Sequence, residues 1–208
     1  MKSKFMLLDQ RKKRFVLATR NRDKITEIRE ILKNQGFEIL DLLDFPEIPE
    51  VLEDGETFRD NAIKKARYIY QVTGVSSVAD DSGLEVDYLE GAPGVRSSRF
   101  AGENATYAEN NAKLLQLLAN APRDQRTARF RCVIAFTNST RTATVEGVCE
   151  GIILESLRGS QGFGYDPLFH VPKYGKTFAE MNPSLKNQIS HRAIALKKIK
   201  TLLMKELS

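Results

Sequence analysis

Residues 15–24 read Phe15-Val16-Leu17-Ala18-Thr19-Arg20-Asn21-Arg22-Asp23-Lys24, and Ile25, Ile28, Ile31 and Leu32 follow. The opening apolar run has the pattern of a buried strand, whereas apolar residues three or four apart mark one face of a helix. A strand that turns through a short polar loop into a helix is the opening unit of an α/β chain. The pattern continues outward. Phe58, Ala62, Ala66 and Ile69 predict a second helix from about Thr57 to Tyr70, ended by Gly74, with Asn61 and Lys65 together on a neighbouring face. Ser76 to Ala79 predicts a strand that ends at Asp80-Asp81-Ser82-Gly83, after which Leu84 to Asp87 alternates again before a turn at Gly91-Ala92-Pro93-Gly94. A helix is expected around Tyr107 to Leu118, with strands at Ala128 to Phe136, Thr142 to Leu154 and Pro167 to Pro172. A last helix starts near Ser190 and repeats Ala193, Leu196, Ile199 and Leu203. Interleaved strands and helices predict an α/β fold: a mixed central sheet flanked by helices, in two lobes around a cleft.

Composition bounds the function. The chain has 208 residues with 32 Lys plus Arg against 27 Asp plus Glu, a formal charge of +5, and 41% of its residues are hydrophobic. That is ordinary globular usage for one domain, which excludes fibrous, disulfide-scaffold and wholly disordered classes. No apolar run approaches the ~20 residues of a membrane span, and the start is too short in its apolar part for a secretory signal. A cytoplasmic protein without membrane contact is therefore expected. Residues 1–14, with Arg11-Lys12-Lys13-Arg14, are expected to be a flexible basic extension, and residues 15–208 a single domain. Cys132 and Cys149 lie in strand-like segments without metal-ligand spacing and are expected to be inert buried thiols.

The informative positions are those that break local rules. Lys24 opens the first helix and His191-Arg192 the last, where the helix dipole disfavours cations and an anion would relieve them. A strand, a tight turn and exposed helix N–H groups suit a phosphate, and Thr19, Asn21 and Lys24 add a hydroxyl, an amide and an ammonium. Alone, Thr19 and Asn21 also read as a plain helix cap. The Walker A pattern is absent, and Gly159-Ser160-Gln161-Gly162-Phe163-Gly164 has the wrong glycine order for a dinucleotide fingerprint. Asp80 and Asp81 are neighbours on an extended backbone, so only one addresses a given ligand. Mg²⁺ takes one or two protein carboxylates plus phosphate oxygens and water, and Glu53 is the best candidate for a second ligand.

Five blocks carry a family resemblance. They are Leu17 to Lys24 with Glu27; Thr57 to Ala66; Ala79 to Asp87 continuing into Pro93 to Gly102; Gly162 to Phe169; and Thr177 to Met181 with Lys186 and Ser190-His191-Arg192. In this order they resemble the non-standard purine nucleoside triphosphate pyrophosphatases, the inosine triphosphatase or dITP/XTP diphosphatase family, over nearly the whole chain. The resemblance implies Mg²⁺-dependent hydrolysis of ITP, dITP and XTP to the monophosphate and pyrophosphate, which cleanses the nucleotide pool, by a homodimer. It further implies that Thr19, Arg20, Asn21, Arg22, Asp23 and Lys24 cradle the triphosphate, that Lys65 neutralises it, and that Glu53 and Asp81 hold the metal. Asp81 is implied as proton acceptor for the attacking water, with Asp80 assisting and Ser82 beside them. Lys186, His191 and Arg192 are implied at the base end, with Phe163, Gly164, Tyr165 and Asp166 as the loop over it. Two departures are Arg20, where the family usually has Gly, and Leu157, where a Pro commonly precedes Arg158-Gly159.

A pyrophosphatase for modified pyrimidine triphosphates is the alternative enzyme. A nucleic-acid-binding module leaves Asp80, Asp81 and Glu53 unexplained in a groove that must attract phosphates, so no nucleic-acid partner is expected.

Overall fold

The computed structural model describes residues 13–207. Seven strands form one sheet in the order β2-β1-β3-β4-β5-β6-β7. They are β1 (Lys13–Leu17), β2 (Phe37–Asp41), β3 (Ser77–Val86), β4 (Thr127–Thr137), β5 (Thr142–Ile153), β6 (Phe169–Val171) and β7 (Lys176–Thr177). The helices are α1 (Arg22–Ile31), α2 (Phe58–Thr73), α3 (Tyr107–Leu117), α4 (Pro183–Ile189) and α5 (His191–Glu206). β1 pairs in parallel with β2 and β3, whereas β6 runs antiparallel to β5 and β7, so the sheet is mixed as expected. Among the described residues no helix is long and apolar enough to cross a membrane.

The chain divides into two compact units. Among the described residues the first comprises 13–80, 133–145 and 196–207, and the second 81–132 and 146–195. In the first unit Phe15, Val16 and Leu17 of β1 are buried, and α1 places Ile25 and Ile28 inside, the strand and helix periods read from the sequence. α2 buries Phe58, Ala62, Ala66 and Ile69 and stops at Gly74, whose left-handed backbone (φ 69°) closes the helix. In the second unit Leu84, Val86, Leu114, Phe130, Phe169 and Phe178 belong to one apolar cluster. Cys132 and Cys149 are both buried, and burial pushes the Cys149 thiol up to about 11.

Two expectations are corrected, and three elements were not expected. β3 does not end at the acids: it runs unbroken from Ser77 to Val86, with Asp80 and Asp81 in its middle. Mid-strand carboxylates are tolerated because each has a donor, as described below. Lys13 and Arg14, expected in the basic extension, instead belong to β1, and Arg14 pairs with Glu38 of β2 at 2.7 Å. Residues 1–12 lie outside the described residues. β2 and α4 were not expected, and neither was β7.

Candidate active site

Each unit carries part of the expected residue set. In the first unit the loop after β1 caps α1. The Asn21 side chain accepts the Lys24 N–H at 3.1 Å, and Thr19 Oγ1 accepts the Asn21 N–H at 3.2 Å. Both side chains thus serve the cap reading, and one helix N–H is satisfied without a ligand. Arg22 and Asp23 are exposed on the first turn of α1. The Lys24 ammonium is not solvated. It lies 3.1 Å from Asp80 Oδ2, with its side chain 15% exposed and that of Asp80 1% exposed.

A second ammonium reaches the same aspartate from α2. Lys65, 6% exposed, donates to the Asp80 carbonyl at 2.7 Å and forms an ion pair with Glu53. Glu53 is held by the helix it precedes. Gly55 N–H donates to Asn61 Oδ1 at 2.8 Å, and Lys64 pairs with Asp54 at 2.5 Å. Asn61, Lys64 and Lys65 lie within five residues of one helix, and the first and last are an i, i+4 pair, so one helix stitches down the whole acidic segment. Burial pushes the Glu53 carboxyl up, but the charges of Lys65 and Lys24 and the Lys65 hydrogen bond outweigh it, and Asp80 nearby opposes them. The net direction is below the usual carboxylate range, so Glu53 is ionised at neutral pH.

Arg20, expected at the phosphates, is turned elsewhere. Its guanidinium donates to the carbonyls of Leu42, Phe45 and Ile48.

In the second unit Asp81, 4% exposed, accepts the Ser82 N–H at 3.1 Å. Ser82 Oγ accepts from Arg192 at 2.9 Å. α5 begins under the cap of Ser190, whose Oγ accepts the Ala193 N–H at 3.2 Å. Its first turns rest on bare backbone: a Cβ on Gly147 of β5 would lie 2.1 Å from the His191 carbonyl oxygen. This close approach fixes His191 and Arg192. His191 stacks on Phe130 with ring centroids 4.6 Å apart and planes at 12°, and it is 5% exposed. Arg192 is 2% exposed.

The glycine loop folds back on α4. Asp166 Oδ2 accepts the Phe163 N–H at 2.8 Å and pairs with the Lys186 ammonium, both side chains being under a tenth exposed. Gly162, at φ 74°, is obligatory, since a Cβ there would lie 2.0 Å from that carboxylate oxygen. The partly exposed Phe163 ring has Lys186 Nζ 4.9 Å and Arg192 Cζ 5.7 Å from its centroid, and both cations favour its π face. Asn111 of α3 donates to the Gly164 carbonyl at 2.9 Å. The Tyr165 side chain departs from its expected role: it is buried in the apolar cluster, and its hydroxyl donates to the Ser97 carbonyl at 2.9 Å. Burial pushes the Tyr165 phenol far up, so it stays protonated. Its part is to anchor the loop. Asn111 was missed as a site-shaping residue, and Arg20 was expected on phosphate, because their partners lie far off in sequence and no local pattern announces them.

The model of the Ham1 family matches residues 15–202. The chain belongs to the Ham1 family. Among its relatives, the dITP/XTP pyrophosphatase of Desulforamulus reducens is 56% identical over 91% of this chain and 95% of its own length. A solved HAM1 protein from Coxiella burnetii is 43% identical with a TM-score of 0.84, covering 92% of this chain and 98% of that one. A solved nucleoside-triphosphatase / dITP/XTP pyrophosphatase from Mycobacterium abscessus is 40% identical with a TM-score of 0.74, covering 89% and 98%. The Ham1 match spans both units described above and every candidate residue from Thr19 to Arg192.

Proposed function

We propose that this Ham1 family member hydrolyses the non-standard purine triphosphates ITP, dITP and XTP to the monophosphate and pyrophosphate, with Mg²⁺. The observation that carries the reading is the meeting of two largely buried ammonium groups, Lys24 and Lys65, on one aspartate, Asp80. Buried cations require anions, and here Asp80 and Glu53 supply them. A triphosphate brings more negative charge than these two and competes for the same ammonium groups, which neutralise it as it binds.

The residues also fit the implied metal. A hard cation needs ionised oxygen donors, and the lysines keep Glu53 ionised. Glu53 and Asp81 would hold Mg²⁺, which when bound supplies positive charge to the phosphate oxygens. Two protein carboxylates suffice for Mg²⁺, since it draws its remaining oxygens from substrate and water. Asp81 accepts the proton of the attacking water, and the pyrophosphate leaves neutralised by Lys24 and Lys65. No covalent intermediate is needed.

At the base, Lys186 and Arg192 are donors only. They suit the 6-oxo group of hypoxanthine or xanthine and oppose the 6-amino group of adenine, while Phe163 offers a ring for stacking. We assign residues 15–208 to one catalytic domain, acting as a cytoplasmic homodimer on free nucleotides without nucleic acid.

A panel of triphosphates with pyrophosphate detection tests this. The kcat/KM for ITP is expected to exceed that for ATP by about a hundredfold or more, and Arg192→Ala to reduce that ratio by about tenfold. Preference for UTP or a methylated pyrimidine triphosphate would hand the site to the pyrimidine reading, and an unchanged ratio in Arg192→Ala would move base reading elsewhere.

A further inference from the structure

We propose that Arg20 is a positioning residue that fixes the segment bearing Glu53, and that it is not a ligand of the phosphates; the consequence for Mg²⁺ rests on the reading of Glu53 given above. The guanidinium donates from Nη1 to the Leu42 carbonyl at 2.9 Å, and from Nη2 to those of Phe45 and Ile48 at 3.2 and 2.6 Å. These carbonyls recur every third residue, because the segment winds in successive turns, with Phe45 N–H donating to Leu42 and Ile48 N–H to Phe45. A three-residue repeat brings them to one side, where a planar fork of donors reaches all three. The side chains of Leu42, Phe45 and Ile48 are at most 9% exposed. Core burial thus holds the segment through its side chains, and a charged donor holds it through its backbone.

Past Ile48 this anchorage ceases. Residues 49–55 form no regular structure, and Leu52 is 70% exposed. Glu53 therefore hangs between two fixed points: the Arg20 fork before it, and after it α2, which holds Glu53, Asp54 and Gly55 through Lys65, Lys64 and Asn61. Arg20 sits one residue before Asn21, the cap of α1, so the same short loop sets the Lys24 end of the site and tethers the Glu53 end. A glycine at position 20 supplies no such donor. With both Nη atoms bonded to carbonyls, the guanidinium fork faces the 42–48 segment.

Amide hydrogen exchange on the metal-free protein tests the tether directly. In Arg20→Gly the amides of residues 42–55 are expected to exchange at least about tenfold faster while those of α2 and α5 keep their rates, and Arg20→Lys, with a single ammonium for three acceptors, should fall between. Unchanged exchange at 42–55 in both variants would overturn the proposal. A double-mutant cycle with Glu53→Gln reads the consequence. Arg20→Gly should raise the Mg²⁺ concentration for half-maximal turnover severalfold, with no further rise when added to Glu53→Gln. Additive losses expressed in KM for ITP would show a direct phosphate contact and would also overturn it. If Glu53→Gln alone leaves the Mg²⁺ dependence at the wild-type value, the metal reading of Glu53 fails, and the exchange result still decides the role of Arg20.

Discussion

Asp81→Asn is expected to lower kcat for ITP by about a thousandfold and to leave the melting temperature close to that of the unaltered protein. The two parts of that result have different causes. The substitution keeps shape and an oxygen acceptor, so the Ser82 N–H that donates to Asp81 Oδ1 at 3.1 Å keeps its partner and β3 is undisturbed. What disappears is the negative charge and the capacity to accept a proton, which are the two properties the proposed chemistry asks of this residue. Asp80→Asn is the control. Asp80 Oδ2 balances Lys24 at 3.1 Å, so Asp80 holds one of the ammonium groups that neutralise phosphate. Its amide is expected to change KM more than kcat and to cost stability, since a largely buried ammonium loses its counter-charge. Steady-state kinetics beside thermal melting separates the two variants. If Asp80→Asn shows the larger loss in kcat, the proton acceptor is Asp80 and the assignment within the pair is reversed.

Lys65→Met should be the most damaging single change to stability at the site. Lys65 is 6% exposed, and its ammonium serves both Glu53 and the Asp80 carbonyl. Methionine fills comparable space, so little cavity forms, but Glu53 is left partly buried without its nearest cation. Removing one partner of a buried pair costs about 3–5 kcal/mol, which in a chain of this size lowers the melting temperature by about 10 °C. Because Glu53 ionises with the help of Lys65, its pKa should rise in the variant, and part of the lost stability should return as pH falls and the carboxyl is protonated. The kcat/KM for ITP should fall at least about a hundredfold through lost phosphate neutralisation. Melting curves across acidic pH check the first point and kinetics the second. A variant as stable and as active as the original would remove Lys65 from the account.

What the sequence reveals depends on how far apart the partners lie. The strand and helix periods around Phe15 and Ile25, the Gly74 stop and the Ser190 start are local patterns, and the elements form where they predict. The cations at the starts of α1 and α5 announce themselves by opposing the helix dipole, but which group answers each is not local. Lys24 finds Asp80 in β3, and Arg192 finds Ser82. The strand was read as ending at Asp80-Asp81 because acids and a glycine usually interrupt one; it continues because Lys24 pairs with Asp80 Oδ2 and the Ser82 N–H donates to Asp81. Two misses had usable signals. Gly36 before Phe37-Glu38-Ile39-Leu40-Asp41 bounds an edge strand, and Asn182-Pro183 is a capping residue followed by a first-turn proline, the start of α4. Arg20 had none, since its acceptors lie 22 to 28 residues further on. Tyr165 was placed in the loop over the base, and its burial and its hydroxyl bond to Ser97 show that its side chain anchors that loop to the core.

At the centre of the account stands a division of labour: one residue set for polyphosphate, another for the purine base. Amide NMR spectra of the labelled protein, titrated separately with inorganic tripolyphosphate and with inosine, test it most directly. Tripolyphosphate should shift resonances of residues 19–24 and 61–65, and inosine those of residues 163–166 and 186–192. Shifts from both compounds on a single set, or tripolyphosphate shifts that avoid Lys24 and Lys65, would contradict it.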